Sequence, residues 1–188
     1  MKKWTIVGLT TLLTLAASAA LASVPQKSLY LGGIGIGSEG SYIRQIYGAP
    51  TETEREHSAS HPSGSVVEYE YGDGVSIHLA EGAVYHMEVS ANNGWATPEG
   101  IHVGMDASLL EGTYGKPDMV RGDKSIYRAE GLPGVGLIFE IEKGKIDEIE
   151  IGPSNRSEHV WPRDVAGSNV PCFLTDWKKK GEWSNNGR

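Results

Sequence analysis

The chain has 188 residues, a formal net charge of −7 at pH 7, 39% hydrophobic residues and one cysteine. The acidic balance excludes nucleic acid and an anionic membrane surface as favoured partners, since both select basic faces, and leaves a cationic protein, a cation or a neutral partner. One cysteine excludes an intramolecular disulfide, so the fold must stand on its core.

In chain order, the first element is a leader. Lys2 and Lys3 precede an apolar run over residues 6–17, and Ala20-Leu21-Ala22 gives a small-x-small cleavage site before Ser23. This is the pattern of a secretory signal peptide over residues 1–22. The run is short for a membrane span, and no second apolar stretch follows. An exported protein is therefore expected, periplasmic, in the cell envelope or secreted. Removing 22 residues leaves 166, and losing the two lysines moves the charge to −9. Ser23 stands where a lipoprotein would need cysteine, so no lipid anchor is expected.

Beyond a short lead, the chain repeats itself. Residues 34–50 match residues 101–117 without gaps at an offset of 67, aligning Gly37 with Gly104, Ser41 with Ser108, and Tyr47-Gly48-x-Pro50 with Tyr114-Gly115-x-Pro117. A second match follows at an offset of 62, where Val75, Ile77, Leu79, Gly82, Val84, Met87 and Val89 fall on Leu137, Phe139, Ile141, Gly144, Ile146, Ile149 and Ile151. Self-similarity of this kind predicts two structural units. They cover about residues 29–90 and 99–152, with a turn-rich joint at residues 91–98 and a tail over residues 153–188.

Each unit reads as a helix followed by strands. Ser38 is placed to cap a helix over residues 39–47 with Tyr42, Ile43 and Ile46 on one face. Its counterpart covers residues 106–114 with Leu109 and Leu110 buried. Gly48 and Gly115 are placed as C-terminal caps, and Pro50 and Pro117 block continuation. Val67, Tyr69 and Tyr71 alternate with Glu68 and Glu70, and Val75, Ile77 and Leu79 with Ser76 and His78, as in half-buried strands. Glu81-Gly82 and Lys143-Gly144 signal hairpin turns. The alternation then slips, at Val84/Met87 and at Ile146/Ile149, which predicts a β-bulge in each unit. A weaker strand is expected near residues 125–129. A lone lobe of about 55–60 residues is marginal without staples. The expected fold is therefore α+β: two tandem helix-plus-antiparallel-meander repeats sharing one antiparallel sheet, with both helices on one face and the other face open.

The short Gly-Met-x-x-x-x-Leu helix ending in Tyr-Gly-x-Pro and followed by a strand meander resembles the SmpA/OmlA (BamE-type) outer-membrane lipoproteins. It also resembles the beta-lactamase inhibitory proteins, which are tandem duplications of a similar unit. Gly104, Met105, Leu109, Tyr114, Gly115, Pro117, Phe139, Gly144 and Ile146 carry the resemblance, with Gly37, Tyr42, Tyr47, Gly48, Pro50, Ile77, Gly82 and Val84 in the first unit. It implies an extracytoplasmic, non-catalytic protein that binds another protein through a sheet face and loops. The missing lipidated cysteine and the missing disulfides depart from those families.

Strand parity places Glu68, Glu70, His78, His86, Glu140 and Glu150 on the open face, together with Glu88, Glu142 and Glu148. This acidic face is the expected partner-binding surface, suited to a basic protein or to calcium. Two imidazoles beside carboxylates also form a zinc-type ligand set, so a metal-dependent enzyme or secreted hydrolase on the His78/His86 face is the alternative. No catalytic set, cofactor or metal is otherwise expected. Gly-rich residues 31–37 lack the Gly-Lys-Ser/Thr of a phosphate loop. His57 and His61 sit in a Ser/Pro/Gly-rich loop. The tail holds Trp161, Cys172, Phe173, Trp177 and Trp183 with Lys178, Lys179 and Lys180. Cys172 either forms an intermolecular disulfide or is a small buried apolar residue. The oligomeric state is not set by the sequence.

Overall fold

A computed structural model describes residues 23–56 and 66–154 of the chain. The leader at residues 1–22, the His57/His61 loop, and Cys172 with the rest of the tail lie outside the described residues.

The polypeptide opens with a two-stranded ribbon, β1 (Tyr30–Leu31) and β2 (Ile34–Gly35), followed by helix α1 (Gly40–Tyr47). Four strands come next: β3 (Glu52–Glu56), β4 (Val66–Glu70), β5 (Val75–Ala80) and β6 (Ala83–Val89). After an irregular stretch come helix α2 (Leu109–Tyr114) and four further strands, β7 (Met119–Arg121), β8 (Lys124–Arg128), β9 (Val135–Glu142) and β10 (Lys145–Pro153). The last eight strands form one antiparallel sheet in the order β3-β4-β5-β6-β10-β9-β8-β7. The β6–β10 pairing joins its halves through Val89↔Ile149, Glu88↔Glu150 and Met87↔Ile151.

Local chemistry sets the hairpins. Glu81 and Gly82 have φ of 53° and 84°, and Lys143 and Gly144 have 51° and 78°. Two consecutive positive φ values give the turn whose twist matches its flanking strands. Both expected bulges form. Register shifts between His78↔His86 and Leu79↔Val84, which makes Tyr85 the extra residue of β6, and between Ile146 and Glu148, which makes Asp147 the extra residue of β10. Each bulge keeps two apolar residues of odd spacing on the core side: Val84 with Met87, and Ile146 with Ile149.

The α+β expectation of two tandem helix-plus-meander repeats needs correction. Among the described residues the protein is mostly β, with α-helices of only 8 and 6 residues. α2 begins at Leu109 rather than at Asp106. Ser38 does not cap α1; Glu39 stands at that position with no side-chain cap bond, and Ser38 Oγ instead accepts from the Gly35 N–H at 3.1 Å. Tyr42 (46%), Ile46 (48%) and Leu109 (44%) are exposed. Only Ile43 of α1, and Leu110 and Tyr114 of α2, reach the core. Helices of two turns have little stability of their own, so they serve as short plugs on the sheet rather than as a helical layer. The segments ahead of them also differ: the β1–β2 ribbon precedes α1, while irregular chain with bridges Ala96–His102 and Asp106–Lys145 precedes α2. The cap glycines do adopt positive φ, 82° at Gly48 and 79° at Gly115, but with extended ψ.

The core covers one sheet face and runs across both halves: Val75, Ile77, Leu79, Met87, Val89, Leu137, Phe139, Ile146, Ile149 and Ile151 are buried together. Phe139 packs between Tyr114 and Tyr127, with ring centroids 5.6 and 5.9 Å away. The joint at residues 91–98 is bound into this core. Trp95 stacks on Tyr47 at 4.4 Å. Thr97 shares a 2.7 Å hydrogen bond with the Tyr114 hydroxyl, which donates to Glu99; Ser28 donates to the other Glu99 oxygen. Burial pushes the Tyr114 phenol well above its ordinary pKa, so the ring hydroxyl stays a neutral donor.

Candidate functional site: an acidic sheet face around a lysine

Side chains alternate across a strand, so the residues between the core positions project from the opposite face. Pairing registers arrange them in rows. One row runs Glu52, Glu70, Ser76, Glu88, Glu150, Ile138, Ile126, Met119. A second begins Glu54, Glu68, His78, His86. A third holds Glu148, Glu140, Lys124 and Arg121. Four glutamate pairs are directly opposed across strands: Glu52↔Glu70, Glu54↔Glu68, Glu88↔Glu150 and Glu140↔Glu148. Like charges placed opposite one another are destabilising.

Lys124 relieves part of that repulsion. Its Nζ lies 2.5 Å from Glu150 Oε1, 2.9 Å from Glu140 Oε2 and 3.7 Å from Glu148 Oε1. Glu150 is the most enclosed of the set at 3% exposure, and its second oxygen lies 3.4 Å from His86 Nε2. The His86 ring lies over Gly152, where a Cβ would come within 2.6 Å of its Cδ2. Only a residue without a side chain leaves space for the imidazole there. The His78 and His86 rings sit 5.0 Å apart, and His78 Nε2 lies 3.6 Å from Glu68.

Crowding of carboxyls shifts their proton affinities. Burial, then a hydrogen bond with Glu150 and the charge of Glu88, push Glu148 up to about 8, so it is largely protonated at neutral pH and donates to Glu150. Burial and then Glu68 raise Glu70. Burial also acts upward on Glu68, but the Ser76 hydroxyl and the neighbouring histidines outweigh it and leave its pKa lowered. Lys124 is partly desolvated, yet its bonds to Glu150 and Glu140 hold its pKa above the ordinary lysine range.

The arrangement permits some chemistry and disfavours other kinds. His86, Glu88 and Glu150 bring one potential ligand atom each to within 4.8 Å of one another, as do Glu140, Glu148 and Glu150, where the Lys124 ammonium already sits. A hydrolytic triad is poorly served. Ser76 donates to Glu68 at 2.5 Å, and both Ser76 and Glu68 approach the same His78 nitrogen. The nucleophile–base–orienter relay needs the acid on the far ring nitrogen.

All six residues expected at the binding face, Glu68, Glu70, His78, His86, Glu140 and Glu150, lie on this one surface. Glu142 also lies there, but at an exposed edge, 2.7 Å from Lys143. Three participants escaped the sequence reading. Lys124 opens a strand whose pattern is weak. Glu52 and Glu54 belong to β3, whose signal was the period-two run Thr51-Glu52-Thr53-Glu54-Arg55-Glu56. With Thr51, Glu68, Glu70, Gly72 and Asp73 they line an open acidic hollow of about 490 Å³.

No protein-family description matches the sequence, and no curated protein does. Among solved structures, the chain is similar to a cysteine-rich secretory protein from Staphylococcus aureus subsp. aureus Mu50, at 10% identity and a TM-score of 0.51, covering 70% of this chain and 49% of that one. It is also similar to an extracellular protein containing an SCP domain from Bacillus anthracis str. Ames, at 12% identity and a TM-score of 0.45, covering 63% of this chain and 44% of that one. The chain thus spans about half the length of the first. The resemblance to BamE-type lipoproteins and beta-lactamase inhibitory proteins is accordingly set aside. The structural likeness is to part of a cysteine-rich secretory protein, and it is a likeness of fold.

Proposed function

We propose that this is an exported, non-catalytic binding module that engages a basic protein through the acidic sheet face and the hollow at its β3–β4 edge. Export is supported by the leader pattern at residues 1–22 and by the secretory protein that shares the fold. The observation that carries the binding role is the set of four opposed glutamate pairs. Opposed like charges lower stability, and Lys124 relieves only the pairs that include Glu140 or Glu150; rule-breaking of this kind is expected where a surface serves a partner. A lysine- or arginine-rich partner would relieve the repulsion and gain in association rate from the field.

Charge reversal tests this role. The bait is the mature protein, the variant carries Glu54→Lys with Glu70→Lys, and the control carries Glu111→Lys with Glu130→Lys, which are exposed elsewhere. Capture from native cell-envelope extract that is lost in the face variant and kept in the control supports the module. Equal capture by both would reject it. The second reading, a metal-dependent enzyme on the His78/His86 face, has the His86–Glu88–Glu150 cluster in its favour. Stoichiometric zinc in the purified protein would favour it.

A further inference from the structure

We propose that Asn93, in the joint between the two halves of the sheet, is a self-modifying site: attack by the Gly94 backbone nitrogen expels its side-chain amide as ammonia, and the product with a lengthened main chain frees Trp95 from the core. The inference stands apart from the reading of the acidic face and needs no partner.

Three features of the dipeptide favour the reaction. Access is the first. Asn93 and Gly94 are both exposed, and a Cβ added at Gly94 would meet nothing within 4 Å. Glycine leaves the attacking nitrogen unshielded, since it has no side chain. The second is a free nucleophile. Among the described residues no group accepts a hydrogen bond from the Gly94 N–H, whereas the amides on either side are bonded: the Asn93 N–H donates to the Ala91 carbonyl at 2.9 Å and the Trp95 N–H to Asn93 Oδ1 at 3.2 Å. The bond from Trp95 is the third feature. It folds the Asn93 side chain back along the main chain, and it aims a donor at the oxygen on which charge develops when the carbonyl carbon is attacked. Holding nucleophile and carbonyl in one short turn also removes much of the entropy cost of bringing them together.

Water is the only co-reactant. The Gly94 nitrogen gives its proton to solvent and bonds to Cγ of Asn93; the Cγ–Nδ2 bond breaks, and the amide takes a proton from solvent and leaves as ammonia. Water then opens the five-membered imide at one of its two carbonyls. Opening at Cγ leaves aspartate at position 93. Opening at the main-chain carbonyl leaves isoaspartate, in which the chain runs through Cβ and Cγ.

The chain is anchored on both sides. The Ser90 N–H donates to the Gly74 carbonyl at 2.9 Å, and a Cβ on Gly74 would come within 2.7 Å of the Ala91 methyl. Trp95 stacks on Tyr47 with centroids 4.4 Å apart, a Cβ on Gly32 would come within 2.7 Å of its Cε3, and the Gly32 N–H donates to the Ala96 carbonyl at 3.1 Å. Asn92, Asn93 and Gly94 are the whole link between these anchors. Isoaspartate lengthens the link by one carbon–carbon bond, about 1.5 Å, and a close-packed surround has no slack of that size. Ala91 follows directly on β6, a central strand, while Trp95 is held by packing, so the indole gives way.

The test incubates the full mature chain at pH 7 and at pH 9. Peptide mass spectrometry follows Asn92 and Asn93, and an isoaspartate-specific methyltransferase separates the two products. Ammonia loss at Asn93 should exceed that at Asn92 by about tenfold or more. It should rise with pH, because the nitrogen attacks as its anion. It should stop in Asn93→Gln, whose longer arm would have to close a six-membered ring, and in Asn93→Ser, which keeps an oxygen for the Trp95 N–H but has no amide. Chymotrypsin cleavage after Trp95, each sample normalised to its fresh counterpart, should become about fivefold faster in the incubated native chain and stay unchanged in both variants. No ammonia loss at Asn93, or equal loss at Asn92 and Asn93, would overturn the site. Isoaspartate formed with cleavage after Trp95 unchanged would overturn the release of the indole.

Discussion

Glu148→Gln isolates the energetic consequence of packing carboxyls together. In the native protein Glu148 has its pKa raised from an ordinary 4.5 to about 8. A carboxyl raised in the folded state stabilises fully below its unfolded value, and that contribution is lost as pH climbs through the folded one. Stability should therefore fall between about pH 4.5 and pH 8. The complete shift corresponds to a ceiling of about 5 kcal/mol. Glu148 is hydrogen-bonded to Glu150, and Lys124 lies 3.7 Å from Glu148. Both partners return part of the loss, and we expect about 2 kcal/mol between pH 5 and pH 8. Glutamine keeps the shape and a donor for Glu150 but cannot ionise. Urea unfolding at pH 5, 6, 7, 8 and 9 should give a native curve that declines and a Glu148→Gln curve that is flatter, with the variant more stable above pH 8. Parallel curves over that range would refute the reasoning, because they would mean Glu148 ionises alike in the folded and unfolded chain.

Lys124→Met removes the cation shared by Glu140 and Glu150. Breaking a fully buried pair costs about 3–5 kcal/mol; Lys124 is 29% exposed, so about 2 kcal/mol is expected at pH 7. The deficit is read as a lower urea midpoint at pH 7. Phe139→Ala opens a cavity between Tyr114 and Tyr127 and should cost about 3–5 kcal/mol, read as a lower urea midpoint. Gly152→Ala puts a methyl against the His86 ring and should cost about 1–2 kcal/mol; the same change should shift the His86 imidazole resonances, since the ring must leave Glu150.

The strands were the most readable part of the sequence because their chemistry is local. Val75, Ile77 and Leu79 alternate with polar residues, and Glu81-Gly82 and Lys143-Gly144 can take two positive φ values at low cost. The slipped parity at Val84/Met87 announced a bulge for the same reason. Face assignment followed, and it gathered Glu68, Glu70, His78, His86, Glu140 and Glu150. The helices were misjudged because tertiary contacts decide how much of a short helix is buried. Tyr42, Ile46 and Leu109 fit a helical stripe, yet the sheet has room for only Ile43, Leu110 and Tyr114. Lys124 could not be foreseen from its neighbours in sequence. It reaches the glutamates only because β8 lies beside β9, and Glu150 is one strand further in. The kinship suggested by Tyr-Gly-x-Pro also failed, since a helix end and a cap glycine describe a local turn that many folds share.

The surface role can be tested by placing a photoreactive side chain at one position and reading which proteins it captures. With the probe at Ser76, between Glu70 and Glu88 in the central acidic row, the binding module predicts a crosslink to a basic protein that weakens as salt is raised; with the probe at Thr113, on the exposed side of α2, it predicts none. The same partner captured from both positions, or an acidic partner at Ser76, would contradict it.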